Sequence, residues 1–391
     1  MRLTALANTS SIGPKVEDGA TCPDGDGATG DVHKERALDL TGVLETWGDS
    51  LVLAMAGALV GLVFGVAAQR SRFCTRAAFV ETCQGRLGDR FAVWWLGFSA
   101  CLLGVQTLVF AGGLQAHTSR FIAPMGSLSG ALIGGLLFGA GMIMTRGCAG
   151  RLLILSASGN LRAWIAALVF AVAVQASIGG WLAPARLTLM SWWQIDGGAG
   201  RDLLQITGIG RHGGLALAAV AFASGLWLFA RTLPGRLALA LGAITTGLCI
   251  AAGWGLTQAI ASQSFEAVQI QSVSFSSASA EFLMRILSTG TAPRFGFDAG
   301  LLPATLVGAW VGALIGGDFQ WQGFTAENKL GHYLMGALLM GLGAVLAGGC
   351  TVGAGMSGGS VFALTAWLTL IAIWLGAAMA WRLHQAMDWP V

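Results

Sequence analysis

Residues 131–151 read ALIGGLLFGAGMIMTRGCAGR, a glycine-rich apolar run that stops at Thr145, Arg146, Gly147 and Cys148. Residues 333–353 read YLMGALLMGLGAVLAGGCTVG. A shift of 202 positions lays Gly134 on Gly336, Gly139 on Gly341, Gly141 on Gly343, Gly147 on Gly349 and Cys148 on Cys350. In a chain with 59 glycines, composition alone supplies glycine matches but not a gapless match that ends on a cysteine. We read the two stretches as copies of one unit.

The rest of the chain fits a membrane setting for that unit. Hydrophobic residues make up 55% of 391 positions and charged residues 10%, far from a soluble globular balance. Nine runs lack any Asp, Glu, Lys or Arg: 51–68, 91–111, 127–144, 164–182, 213–230, 237–255, 301–317, 333–349 and 361–381. Each is about long enough to cross a hydrocarbon core of roughly 30 Å as a helix rising about 1.5 Å per residue. The expected fold is an all-α polytopic membrane protein, since nothing alternates as barrel strands do. Fifteen tryptophans, with Trp94, Trp95, Trp181, Trp192, Trp193, Trp381 and Trp389 near span ends, predict an interfacial belt. The net charge of +3 comes without a basic stripe, so no nucleic-acid partner is expected.

Residues 1–50 are polar, lack the apolar core of a signal peptide and read as a disordered tail, with 37–47 as a short interfacial helix. The membrane domain covers 51–383, with repeat one at 51–183, a linker and extra helix at 184–236, and repeat two at 237–383. Five spans precede the first helix of the second copy and none precedes that of the first. An odd number turns the second copy over, which predicts an inverted-topology repeat with its substrate site near the midplane, where broken helices meet. The loops on the C-terminal side hold 12 basic residues against 10 on the other, which places the N-terminus outside and the C-terminus in the cytoplasm.

A second motif, Gln69-Arg-Ser-Arg-Phe-Cys74, interrupts the first copy, and the same shift brings Gln69 to Gln271 and Cys74 to Ser276. Cys74, Cys148 and Cys350 therefore fall where non-helical backbone at membrane depth must line a cavity. Helix ends at Gly147 and Gly349 would turn positive dipole ends toward an anion. Thiols in an apolar neck are neutral, weak S–H donors suited to handing along a soft, sulfur-bearing anion. Arg70, Arg72, Arg76, Arg146 and Arg151 would draw that anion to one mouth. Under the shift Arg72 meets Ser274 and Arg146 meets Gly348, so the field is expected on one side only. Cys101 and Cys249 read as apolar filler and Cys22 belongs to the tail. Cys83 is either a resolving thiol for Cys74 or a solvated loop residue. Gln106, Gln175 and Gln258 are candidates for interhelical hydrogen bonds, and Glu281 lies close to the Ser276 motif.

These residues resemble the YeeE/YedE family of bacterial sulfur-transport membrane proteins. The likeness rests on Gln69 to Cys74, on Gly141 to Cys148 with Arg151, and on Pro293-Arg-Phe-Gly-Phe297 leading into Leu301. It rests above all on Gly349-Cys350-Thr-Val-Gly-Ala-Gly-Met-Ser-Gly358. It covers residues 51 to about 383. The resemblance implies an hourglass profile, uptake of thiosulfate through three cysteine thiols, here Cys74, Cys148 and Cys350, no cofactor, and a small cytoplasmic sulfur carrier of the TusA type as partner. Some relatives are linked to selenium instead. The residues alone leave open a membrane-bound thiol enzyme using Cys74 and Cys83, and a soft-metal channel, although metal sites want deprotonated ligands and the motifs lack His or carboxylate company.

Overall fold

The computed structural model describes residues 41–264, 266–288, 295–323 and 330–386. Most of the expected tail, with Cys22, lies outside the described residues, as do Pro293, Arg294 and Trp389. Its described end is helical: α1 (Thr41–Trp47) leads into α2 (Asp49–Arg70).

Among the described residues, nine helical stretches are long and apolar enough to cross a membrane. They fall on the nine charge-free runs, and the chain is an all-α multi-pass membrane protein. Four of the nine are α2 with the short α3 (Thr75–Cys83), α4 (Asp89–Phe110), α5 (Leu128–Met144) with the short α6 (Ala149–Ala157), and α7 (Leu161–Gly179). Short α8 (Ala183–Ser191) and α9 (Leu203–Ile206) lead to the fifth, α10 (Gly210–Thr232). Then follow α11 (Leu237–Ala261), the short α12 (Phe275–Leu287), α13 (Phe297–Gly316), α14 (Leu330–Leu346) with a π-helix over Thr351–Gly358, and α15 (Leu364–Ala386). A two-residue antiparallel pairing, β1 (Gly126–Ser127) with β2 (Gln194–Ile195), ties two connecting segments together.

Local chemistry sets the starts and breaks. Ser127 caps α5 by accepting the Gly130 N–H at 2.9 Å, and Asn160 caps α7 by accepting that of Ala163 at 3.1 Å. The break after α5 passes through Arg146 at φ 57°, and the break after α14 through Gly348 at φ 74°. A left-handed residue ends a helix, and these two positions are 202 apart. Glycine adopts that conformation freely, whereas Arg146 holds it against its side chain.

The frame packs through glycines. Helices α2 and α13 run parallel, with Gly57 against Phe297, Gly61 against Leu301 and Gly65 against Thr305. Two other pairs also run parallel: α4 with α11, where Gly97 meets Ala243, and α5 with α15, where Gly139 meets Ile373 and Ala377. Without a hydrophobic drive between helices in lipid, such close backbone approach is what holds them. A Cβ on Gly300 would strike the Ala54 carbonyl oxygen, a backbone atom with nowhere to go. Gly300→Ala is therefore expected to destabilise the detergent-solubilised protein by about 1–3 kcal/mol, as overpacking does. Gly179→Ala, which meets nothing within 4 Å, should leave the melting temperature unchanged.

The tryptophan belt holds in part. Trp181, Trp192 and Trp193 are exposed, but Trp94 and Trp381 are buried. Trp94 packs in an aromatic cluster with Phe98 and Trp374, because α4 meets other helices at its start rather than lipid.

Candidate functional site

Four short elements begin at a small polar or thiol residue in extended conformation. Cys74 precedes α3, Cys148 precedes α6, Cys350 precedes the π-helix and Ser274 precedes α12. Their first turns converge. Cys148 lies within electrostatic range of both Cys74 and Cys350, with the Thr351 hydroxyl against its sulfur. Gly150 of α6 sits against the Phe275 ring of α12 and near Val352 of the π-helix, and Gly353 leaves room for the Ser274 hydroxyl.

This geometry corrects the register of one motif. Cys74 has φ −158° and ψ 113°, and Ser274 has φ −147° and ψ 115°, so the backbone counterpart of Cys74 is Ser274 and not Ser276. Glu81 of α3 and Glu281 of α12 agree with this shift of 200. The second copy is the longer one between its two motifs: α12 runs for 13 residues where α3 runs for 9, and Ser274 lies 76 positions before Cys350 where Cys74 lies 74 before Cys148. An ungapped comparison anchored on Cys148 and Cys350 carries the shift of 202 back past that difference. Ser274 is fully buried, and the sequence reading missed it.

The three cysteines differ in setting. Cys350 is fully buried, and its sulfur accepts the Gly353 N–H at 3.4 Å, which leaves the S–H free to donate. Its carbonyl accepts from both Ala354 at 2.8 Å and Gly355 at 3.3 Å, the wide turn of a π-helix, a form common at functional sites. Cys148 is buried and Cys74 is partly open. Gly147 and Gly349 lie one residue before the caps, so the N–H groups that face forward belong to the residues after Cys148 and Cys350. Gly147 instead offers its carbonyl to the Thr145 hydroxyl at 2.9 Å.

Several buried polar atoms in the motifs that carry Cys74 and Cys148 have no hydrogen-bond partner in the protein: Thr75 Oγ1, Arg76 Nε, Arg151 Nη1 and Gln69 Oε1. Buried polar groups are normally satisfied, and three of these four can donate. Unspent donors clustered beside S–H groups suit a small anion.

The arginines divide. Arg76 lies in the field of Cys74, Arg146 and Tyr333. Arg146 and Arg162 both stand near the Tyr333 ring, at 5.9 and 5.8 Å. Arg72 sits two residues from Cys74, but its side chain is exposed and engages Asp318 at 3.5 Å. Its partner is that carboxylate and not one of the thiols.

A chamber of about 310 Å³ is lined among others by Arg120, Arg201, Ser276, Ser277, Gly348 and Thr365. Arg120 donates to the Gln271 side chain at 3.1 Å, and burial pushes its guanidinium down from the usual range while Asp298 holds it up. Arg201 is buried, donates to Thr365 at 2.8 Å and to the Pro124 carbonyl, and keeps its Nε unpartnered. The second copy therefore has cations near it. They come from irregular connecting segments, Arg120 between α4 and α5 and Arg201 in the linker, where a comparison of the two copies could not find them.

The remaining cysteines stay apart from this site. Cys101 is buried, with its sulfur 3.8 Å from the Met356 carbonyl, Cys249 is buried, and Cys83 is exposed at the end of α3. Nine helical residues separate Cys74 from Cys83 by roughly 13 Å, beyond the about 7 Å that a disulfide tolerates. Among the described residues no group of three or more His, Cys, Asp or Glu could hold a metal ion.

Polar donors gathered between broken helices, inside a nine-span helical domain and with a cationic chamber at hand, define a class: a membrane transporter. The chain belongs to the sulphur transport family, whose model matches residues 70–379. It is 26% identical to a thiosulfate transporter, TsuA, of Spirochaeta thermophila over 349 residues, which cover 84% of this chain and 98% of the relative. It is 23% identical to the thiosulfate transporter TsuA of Escherichia coli over 346 residues, 83% of this chain and 92% of that one.

Proposed function

We propose that the protein takes up thiosulfate across the bacterial inner membrane, with Cys74, Cys148 and Cys350 as successive S–H donors. The observation that carries this reading is the convergence of three thiols with unspent hydroxyl and guanidinium donors at one neck. Donors without acceptors await an anion, and weak S–H donors hold a soft one without trapping it. The thiosulfate transporters among the relatives, aligned over nearly their whole length, supply the substrate.

The reading carries further proposals. The two copies are turned over relative to each other. In support, α2 packs on α13 as α11 packs on α4, and α5 packs on α15 as α14 packs on α7, so the contacts exchange when the copies do. The N-terminus lies outside and the C-terminus in the cytoplasm, where a TusA-like sulfur carrier receives the substrate. The Cys74–Cys83 enzyme reading loses ground to the separation along α3.

Uptake of labelled thiosulfate into proteoliposomes tests the substrate, with sulfate, sulfite and selenite as competitors. Saturable uptake that excess sulfate leaves intact is expected. Equal displacement by sulfate, or stronger displacement by selenite, would move the assignment elsewhere.

A further inference from the structure

The chamber that Arg120 shares with Ser276 and Ser277 has a carboxyl group behind it. Asp298 belongs to the first turn of α13, is 3% exposed, lies against the Ser277 hydroxyl and sits in the field of the Arg120 guanidinium. Its Oδ1 is buried without a hydrogen-bond partner. A carboxylate removed from water with one oxygen unserved is unfavourable to keep. Asp89, in the first turn of α4, is exposed, so a buried acid here is not a general need of the fold. A pathway for anions also gains nothing from a fixed negative charge beside its cation.

We propose that Asp298 makes uptake proton-linked: the entering anion competes with its carboxylate for Arg120, and a proton taken up by Asp298 settles the competition. This rests on the thiosulfate reading above. Two negative groups on one guanidinium, in a site shielded from water, repel each other, and neutralising one removes the repulsion. The proton comes from water in the chamber and binds the unserved Oδ1. It leaves when the anion moves on and the Arg120 charge again acts on the carboxylate alone. No bond in thiosulfate is made or broken, and nothing is oxidised or reduced. The charged and titratable groups around Asp298 are few. Arg120 comes from the connecting segment, Glu281 acts on Asp298 from α12 and is held by Arg285 at 3.4 Å, and the Cys350 thiol lies in the field of Arg120. Glu281 already has a cation. The competition for Arg120 therefore falls on Asp298.

The test is equilibrium binding of labelled thiosulfate to the purified full-length protein across a range of pH. Thiosulfate itself stays a dianion over that range. One proton bound with each anion makes the wild-type affinity fall by up to about tenfold per pH unit on the alkaline side, and Asp298→Asn should remove that slope. In proteoliposomes, a proton gradient directed inward should drive accumulation by the wild type and not by Asp298→Asn. Exchange of labelled for unlabelled thiosulfate needs no net proton movement and separates lost coupling from lost transport. Asp298→Glu keeps the carboxyl and should keep the slope, which holds the test open if the asparagine variant does not fold. A wild-type affinity that ignores pH, or an Asp298→Asn variant with the wild-type slope, overturns the proposal. Absence of any thiosulfate binding by the wild type would instead sink the substrate assignment beneath it.

Discussion

Cys148→Ala and Cys350→Ala are each expected to abolish thiosulfate-dependent growth in a host without other importers. Each removes one S–H donor from a buried position. A lost hydrogen bond to a charged group is worth about 1.5–3 kcal/mol, which corresponds to roughly a ten- to hundredfold loss of rate if it acts where the ion must pass. Cys350 has more to lose than its donor, since its sulfur also accepts the Gly353 N–H that opens the π-helix. Cys350→Ser should therefore keep the cap and recover part of the uptake, while Cys350→Ala should not. Cys101→Ala removes an equally buried thiol that faces the Met356 carbonyl and Ser360 and none of the other cysteines, and uptake should survive it. Normal uptake by both neck variants at wild-type expression would end the thiol-relay mechanism.

Arg76→Gln is the second large effect, and its contrast with Arg72→Gln is what makes it informative. Both arginines belong to the same short motif, and on sequence alone Arg72 has the better claim. In the fold Arg72 is an exposed partner of Asp318, and surface ion pairs are typically worth about 0–1 kcal/mol, so its loss should change uptake about fivefold at most. Arg76 is partly buried beside Cys74 and Arg146, with an unpartnered Nε. Its replacement removes a cation from the neck itself, and uptake should fall by about ten- to hundredfold. Concentration dependence of uptake by both variants decides the matter. Equal losses would mean that the arginines act only as a diffuse field at the mouth.

What could be read from the chain was whatever leaves a periodic or repeated mark. The nine spans show as charge-free runs, and the cysteines of the two glycine-rich stretches show through their common shift. The left-handed turn before each of these two cysteines is equally regular, with Arg146 and Gly348 in matching positions. The misses have physical causes. Ser274 was displaced to Ser276 because the second copy is two residues longer between this cap and Cys350, and helix caps follow backbone geometry rather than counting. Asp298 escaped because the charge-free run begins at Leu301, whereas α13 begins at Phe297 and buries its first turn. Arg120 and Arg201 belong to irregular segments with no partner in the other copy. The π-helix left no trace, since Gly353 and Gly355 are as compatible with an ordinary turn.

The glycine contacts between parallel helices carry one more consequence. At Gly57, Gly61 and Gly65 the backbone of α13 lies where any side chain would otherwise be, and Gly300 and Gly308 return the fit from α13 to α2. Sliding one helix past the other by a single residue would drive a Cβ into a carbonyl. Such a pair resists sliding, so α2 and α13 are expected to move as one piece in whatever rearrangement transport requires.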